Sequence, residues 1–356
     1  MALLFVDSFD HYTDLVTKGW LTGGTSVAID NTAARTGIAG AHFPSGSPGE
    51  LAYQLAANAS ELFVGFALQI PGSGSTFSNF PFLAIECTGA SFPILLRVQS
   101  VPAGAGLFNV LLELEYGSGP TVVTLGTSAQ TIQQGAWNYL EVAVESASGY
   151  YELRVNGATW IHGTNANLVS SGISLATWIG LVQSSPSSYE MYVDDVYICD
   201  GTSAQNNGFL GPISISCLLP IEDGNITAWG RGGTDTGANF SQINENPPDN
   251  LTTYIWETLD AHDNTSIFAP VASLGVMGVV VNICCQNNST PPRLIRAICG
   301  SPDSAVQFDN GVDLEPPETP TWQILQGFFP TDPALGGEAW TPSLINGTEF
   351  GVKLSG

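Results

Sequence analysis

The hydrophobic positions of this chain fall in short runs and not in helical stripes. "ELFVGFALQI", "FPILLRVQS", "FNVLLELEY", "TVVTLG", "NYLEVAVES", "YYELRVNG" and "WIGLVQ" are rich in Val, Ile, Leu and aromatics, and Gly, Pro, Ser or Asn clusters separate them. Recurrent short strands with turn signals between them predict an all-β sandwich. No window sustains a 3.6-residue period. Only "ETPTWQILQGFF" predicts a short turn of helix. The pattern has no fixed period either, which argues against a solenoid or propeller.

The most informative stretch runs from Gly135 to Trp160, "GAWNYLEVAVESASGYYELRVNGATW". Val142 and Val144 share one face, and Glu141, Ala143 and Glu145 the other. After "SASG" the chain returns with Tyr151, Leu153 and Val155 alternating with Glu152, Arg154 and Asn156, which predicts an antiparallel hairpin. Asn156-Gly157 then supplies two residues that tolerate positive φ, so a tight turn leads into a third strand, "ATWIHG".

A second boundary is visible from Tyr189 to Gly211, "YEMYVDDVYICDGTSAQNNGFLG". Strand-like alternation stops at Cys199, and residues 200–208 are almost all of the types that favour turns. The expected organisation is therefore a β-sandwich over 1–199, a polar connector over 200–208 and a second, smaller β-sandwich over 209–356. A chain of 356 residues is long for one core and comfortable for two.

Composition sharpens this picture. Charged residues are only 11% of the chain, whereas Gly and Pro number 40 and 22, the usage of strands and turns and not of surface helices. The net charge is −24. Eight Lys and Arg against 32 Asp and Glu cannot form the cationic stripe that nucleic acid requires, and the field repels anionic lipid, so neither is an expected partner. The start, "MALLFVDSFDHYTD", reads as neither signal peptide nor transmembrane helix. Asn-x-Ser/Thr triplets at Asn58, Asn225, Asn250 and Asn346 therefore carry no weight as glycosylation sites.

Of the six cysteines, Cys87, Cys199 and Cys217 sit in or beside apolar runs. Together with Cys284, Cys285 and Cys299 they are expected to be thiols, with one bridge among the last three left open. No CxxC pair and no His at ligand spacing predicts zinc.

A Trp and an aromatic before "LEV", then a strand ending in "VNG", resembles the concanavalin A-like, laminin-G-like jelly roll. That resemblance reaches back to "FVDSFDHYTD" and forward to "MYVDDVYICD". "YVDDVYICDGTSAQNNGFLGPISISCLLP", "WGRGG", "NENPPDNLTTYIWE" and the closing "WTPSLINGTEFGVKLSG" resemble a family of tailed-bacteriophage virion proteins in which such a sandwich is followed by a second β domain. The resemblance implies a non-enzymatic structural component of the particle exterior: a fibre, a neck or tail appendage, or a capsid decoration. It further implies assembly in the host bacterial cytoplasm, other virion proteins as partners and a homotrimeric state. The alternatives are a lectin-like carbohydrate-binding adhesin and a sandwich-fold glycoside hydrolase.

The chemistry legible in the residues is sparse. Glu113 and Glu115 lie two apart on one strand face, as a glycosidase pair would, but the longer Glu-x-Asp-x-(x)-Glu pattern is absent and a solvent face explains them. Asp194 and Asp195 are adjacent on a strand, so alternation sends one outward and leaves the other to accept hydrogen bonds from a loop, which disfavours a shared calcium ion. The acidic loop from Asp260 to Thr265 is no better a calcium site. His11, His42, His162 and His262 are scattered. The Gly-rich runs at Gly72 and Gly230 lack a following Lys and read as turns. Trp160, Trp178, Trp229, Trp256, Trp322 and Trp340 are candidates for stacking on sugar rings, although alternation alone selects none of them. No catalytic residue, metal ligand or cofactor is assigned.

Overall fold

A computed structural model describes residues 3–24, 27–46, 48–72, 80–87, 94–104, 106–116, 121–166, 178–183, 190–234, 237–258, 263–272, 275–302 and 306–355. Contacts divide the chain into two compact units: Met1–Asp10 with Trp20–Ser216, and His11–Gly19 with Cys217–Gly356.

The strands of the first unit are β1 (Leu3–Asp7), β2 (Leu21–Gly24), β3 (Ala28–Asp30), β4 (Gly40–Phe43), β5 (Gly49–Gln54), β6 (Glu61–Gln69), β7 (Phe80–Cys87) and β8 (Ile94–Gly104). They continue as β9 (Leu107–Tyr116), β10 (Thr121–Gln133), β11 (Asn138–Glu145), β12 (Tyr150–Val155), β13 (Ala158–Gly163), β14 (Trp178–Gln183) and β15 (Met191–Asp200). An eight-stranded sheet runs β13-β12-β11-β6-β15-β4-β3, with β1 also pairing β15, and a seven-stranded sheet runs β10-β9-β8-β7-β14-β5-β2. The chain shuttles between the two sheets, which makes the first unit a jelly-roll sandwich as the sequence predicts. Its core lies between alternate residues of each sheet: Leu62, Val64, Phe66, Leu140 and Val142 on one side, Leu51, Leu83, Ile85, Leu112 and Leu114 on the other, all fully buried.

The predicted hairpin is present, with Leu140 opposite Val155 and Glu145 opposite Tyr150. Asn156 and Gly157 adopt φ of 51° and 79°, the two left-handed positions of the tight turn. Asn156 Oδ1 also accepts a hydrogen bond from Tyr139 N at 2.8 Å, closing the turn onto β11.

The second face of the eight-stranded sheet is not the solvent face that alternation suggests. Glu141, Ala143 and Tyr197 on it are buried. The segment after β15 covers them as a strap. Phe209 packs edge-on against Phe63 with ring centroids 5.3 Å apart and lies under the Arg154 guanidinium at 3.9 Å. Gly211 N then donates to Glu141 Oε1 at 2.8 Å, and Ile215 N to Asp195 Oδ1 at 2.7 Å. Residues 209–216 therefore group with the first unit, whereas the sequence reading began the second domain at 209.

In the second unit β16 (Pro220–Thr227), β17 (Gly230–Gly233), β18 (Thr253–Trp256), β19 (Asp263–Phe268), β20 (Val279–Cys285), β21 (Ile295–Gly300), β22 (Gln307–Asp309), β23 (Gln323–Phe329) and β24 (Glu349–Leu354) form three sheets. A five-stranded sheet is ordered β16-β19-β24-β21-β22, and β17-β18 and β20-β23 are two-stranded ribbons. The β20-β23 ribbon packs on the larger sheet around Ala297, Cys299, Phe329, Trp340 and Phe350. Gly327 is required there, because a Cβ at that position would collide with Ala297 Cβ. The helical turn expected within "ETPTWQILQGFF" is instead strand β23, since tertiary pairing with β20 overrides a weak local pattern. A short helix stands at Pro342–Asn346, with the Thr341 side chain accepting from Leu344 N at its start.

Candidate functional site

The outer face of the seven-stranded sheet carries one rung across every strand. Register pairs Leu21 with Ala52, Ala52 with Gly180, Gly180 with Ala84, Ala84 with Arg97, Arg97 with Glu113 and Glu113 with Thr124. The centre of this rung, Ala52-Gly180-Ala84, holds the three smallest side chains and forms a trough.

Trp178 stands two residues before Gly180 on β14, so both share this face. Its indole folds along the strand into the trough: a Cβ on Gly180 would collide with Trp178 Cη2, Cζ2 and Cζ3. The ring is half-buried. Directly beside it, Glu86 and Gln54 are its cross-strand partners on either flank. Glu50 lies on the same face opposite Val182, and its side chain reaches over Gly23, where a Cβ would collide with Glu50 Oε2. Burial first and the neighbouring Glu86 charge second raise the Glu50 carboxyl above its usual range. A flat aromatic surface thus lies in a trough of small residues, bordered by two carboxylates and an amide.

Glu113 belongs to the same rung, with four strands between it and the edge strand β2, and its neighbours Leu112 and Leu114 point into the core as expected. The Glu115 side chain lies outside the described residues. Opposite Glu113, register places Arg97 and Thr124 and no second carboxylate.

Asp194 and Asp195 correct the alternation argument, because both are fully buried and neither points outward. A bulge in the pairing of β15 with β6 falls between Asp194 and Tyr197, and Asp195 has φ of 51°, so the backbone turns both carboxylates inward. Asp194 Oδ2 accepts from Arg35 N at 2.7 Å and Thr36 N at 3.1 Å. Asp195 Oδ2 accepts from Arg35 Nη1 at 2.7 Å, and the same Nη1 donates to Ile213 O of the strap at 2.7 Å. Burial, then the adjacent Asp195, pushes Asp194 up to about 8 against the pull of its amide donors. The pair is a structural clamp with its oxygens already engaged.

The histidines are not brought together. Buried His11 lies 3.3 Å from the Lys18 ammonium, and burial with that charge lowers it to about 2. His42 sits between Asp30 and Glu190 at 3.8 and 3.9 Å, and His162 is exposed on β13. His262 and the first three residues of the acidic loop at Asp260 lie outside the described residues, as does most of the run after Gly72. Among the described residues no group of three His, Cys, Asp or Glu is placed to hold a metal ion. Cys199, Cys284, Cys285 and Cys299 are free thiols, with burial raising Cys284 to about 11 and Cys285 and Cys299 to about 12; the Cys87 side chain lies outside the described residues.

Of the tryptophans, Trp340 is buried with Nε1 donating to Phe329 O at 2.8 Å, and Trp229 packs on the cluster of Ile295, Val352 and Leu354. Trp160 and Trp322 are half-buried, and Trp256 is 49% exposed.

The chain matches no protein-family profile and no curated protein sequence. Solved structures do resemble it. One is a galectin-like protein of unknown function from Bacillus subtilis: identity is 11%, TM-score 0.41, over 56% of this chain and 96% of that one. Another is a carbohydrate-binding module, also from Bacillus subtilis, at 13% identity and TM-score 0.34 over 52% and 97% of the two chains. A third is a carbohydrate esterase from a Shiga toxin-encoding bacteriophage, at 18% identity and TM-score 0.38 over 55% and 99%. These neighbours share the jelly-roll, galectin-like sandwich.

Sequence reasoning missed Glu50, Gln54 and Glu86. They come from strands distant in the chain, and only the placement of β14 between β5 and β7 gathers them around Trp178. The one signal available was "WIGLV", an aromatic two residues before a glycine in a strand, a spacing that leaves room for a ring to lie over backbone.

Proposed function

We propose that this chain is a non-enzymatic carbohydrate-binding protein, displayed on the exterior of a phage particle, and that its jelly roll takes a glycan on the outer face of the seven-stranded sheet. The observation that carries the reading is Trp178 lying in the Ala52-Gly180-Ala84 trough between Glu86 and Gln54. A pyranose presents a face of C–H groups to the negative π face of an indole, while its equatorial hydroxyls reach sideways to acceptors. Glu50, Glu86 and Gln54 stand where such hydroxyls would extend. The acidic surface favours neutral sugars over sulfated or phosphorylated ones.

Display on the particle rests on the virion-like run from Tyr189 to Gly211 and on the closing "EFGVKL" strand. Mounting as a homotrimer would repeat the face and raise avidity without new contacts. A second reading, hydrolysis, draws on the raised carboxyl of Glu50 with Glu86 on the same face, since a pair of carboxyls is the tool of a glycosidase.

A glycan array probed with the full chain, followed by a reducing-sugar assay on each glycan bound, tests both. Binding of neutral glycans without release of reducing ends is expected. Turnover abolished by Glu50→Gln would replace the first reading with the second, and an array with no signal would remove both.

A further inference from the structure

The second unit presents another aromatic surface, built differently. In the β17-β18 ribbon Gly230 pairs with Trp256 and Gly232 with Tyr254, so all four residues share one face. Both rings lie across the opposite strand: a Cβ on Gly230 would collide with the indole at Trp256 Cε2, and a Cβ on Gly232 with the Tyr254 ring at Cζ, Cε2 and Oη. The glycines are the floor on which the rings rest. Trp256 Nε1 donates to Arg231 O at 3.2 Å, which ties the edge of the indole to the ribbon and fixes its plane.

The result is a shelf of two rings on successive same-face positions, about 7 Å apart along the strand. Exposed Thr252 and Thr258 continue the same face at its two ends. Rings that merely fill the gap left by cross-strand glycines need no exposure, yet Trp256 keeps about half of its surface in water at 49%. Below the rings, on the opposite face, the ribbon is braced by Thr253, whose Oγ1 donates to Glu245 Oε1 at 2.6 Å and whose N donates to Asp249 Oδ1 at 2.9 Å. The shelf is therefore held before any ligand arrives, and little ordering is left to oppose binding.

We propose that Tyr254 and Trp256 form a second glycan-binding site, which takes two consecutive rings of a neutral polysaccharide chain. The occupant follows from the chemistry of the surface. Two aromatic rings on successive same-face positions match consecutive sugar rings offering C–H faces, and the Tyr254 hydroxyl with Thr252 and Thr258 supplies hydrogen bonds along the edge. A nucleic-acid strand, which also stacks on aromatics, is disfavoured by the net charge of −24, and an anionic polysaccharide is disfavoured for the same reason. This site lies on its own strands and does not depend on the Trp178 face.

The test is affinity electrophoresis of the full chain through gels containing laminarin, xylan or mannan, with Trp178→Ala, Trp256→Ala and Tyr254→Ala run beside the wild type. Melting curves check that each variant is folded. Acrylamide quenching of tryptophan fluorescence supplies a second readout, because a polysaccharide seated on the shelf shields the exposed Trp256 indole. Retardation reduced at least about tenfold in apparent affinity by Trp256→Ala with the melting midpoint unchanged, together with polysaccharide shielding in the wild type that Tyr254→Ala weakens, supports the second site. Should Trp178→Ala alone abolish retardation while Trp256→Ala and Tyr254→Ala behave as wild type, the second site is overturned and the first stands. The reverse pattern overturns the Trp178 face and leaves the shelf. No retardation of the wild type by any of the three polysaccharides contradicts the shelf as a neutral-glycan site. If Trp256→Ala unfolds the ribbon, Trp256→Phe keeps its packing with a smaller ring, and wild-type retardation of the Trp256→Phe, Tyr254→Ala double variant overturns the proposal.

Discussion

The Tyr197 hydroxyl donates to Glu141 Oε1 across 2.6 Å on the buried outer face of the eight-stranded sheet, and this contact anchors the strap that closes the first unit. The Tyr197 ring lies over Gly65, where a Cβ would collide with it, and its oxygen in turn accepts from Leu210 N at 3.1 Å. Tyr197→Phe removes both hydrogen bonds and strands the Leu210 amide, so it should destabilise the first unit by about 1–3 kcal/mol. A urea midpoint shift without a change in slope checks this.

The strap also determines how the protein responds to nicking. The polar, partly exposed residues 200–208 should be cut first by a protease at low concentration. Because residues 209–216 stay fastened through Glu141, Asp195 and Arg35, the nicked chain should migrate as one species in native conditions and as two fragments in denaturant. Fragments that separate without denaturant would contradict the strap.

Much of this was legible in the chain. Alternation over "NYLEVAVES" and "YYELRV" gave the hairpin, because each run keeps a period of two and the four-residue "SASG" between them is long enough only to reverse the chain. The same alternation misjudged the pair Asp194-Asp195 and held no sign that Glu141 is buried. It assumes one wet face per strand, and here a distant segment covers that face while a bulge breaks the period at Asp195. Trp178 was among the named tryptophans, but nothing local distinguished it from buried Trp340; the small-residue trough exists only once β5, β14 and β7 are adjacent.

Burial of Asp194 has a pH signature. Its folded value of about 8 lies above the ordinary 3.8, so the folded state holds a proton that the unfolded chain releases. Stability from this group is complete below about pH 4 and is lost as pH rises through about 8. The melting midpoint of the first transition should therefore rise as pH falls from about 9 to about 6. Asp194→Asn should flatten that dependence, because it keeps an acceptor and cannot ionise. An unchanged slope in the variant would assign the effect to the general surface charge instead.

At the β12–β13 turn, Gly157→Val places a branched side chain at φ of 79° and should cost about 1–2 kcal/mol or more. Asn156→Asp keeps the acceptor for Tyr139 N and should be nearly silent. Differential scanning calorimetry of the two variants distinguishes a turn from a ligand site, since only a turn makes glycine the sensitive position.

The central claim is that the Trp178 indole, set in its trough of small residues, is the surface a glycan occupies on the jelly roll. Isothermal titration of the strongest array glycan, carried out in the Trp256→Ala background so that the shelf is silent, isolates it. Replacing Trp178 by Ala there should weaken binding at least about tenfold, which is ~1.4 kcal/mol, with the melting midpoint of the first unit unchanged. Equal affinity with and without the indole would contradict the account.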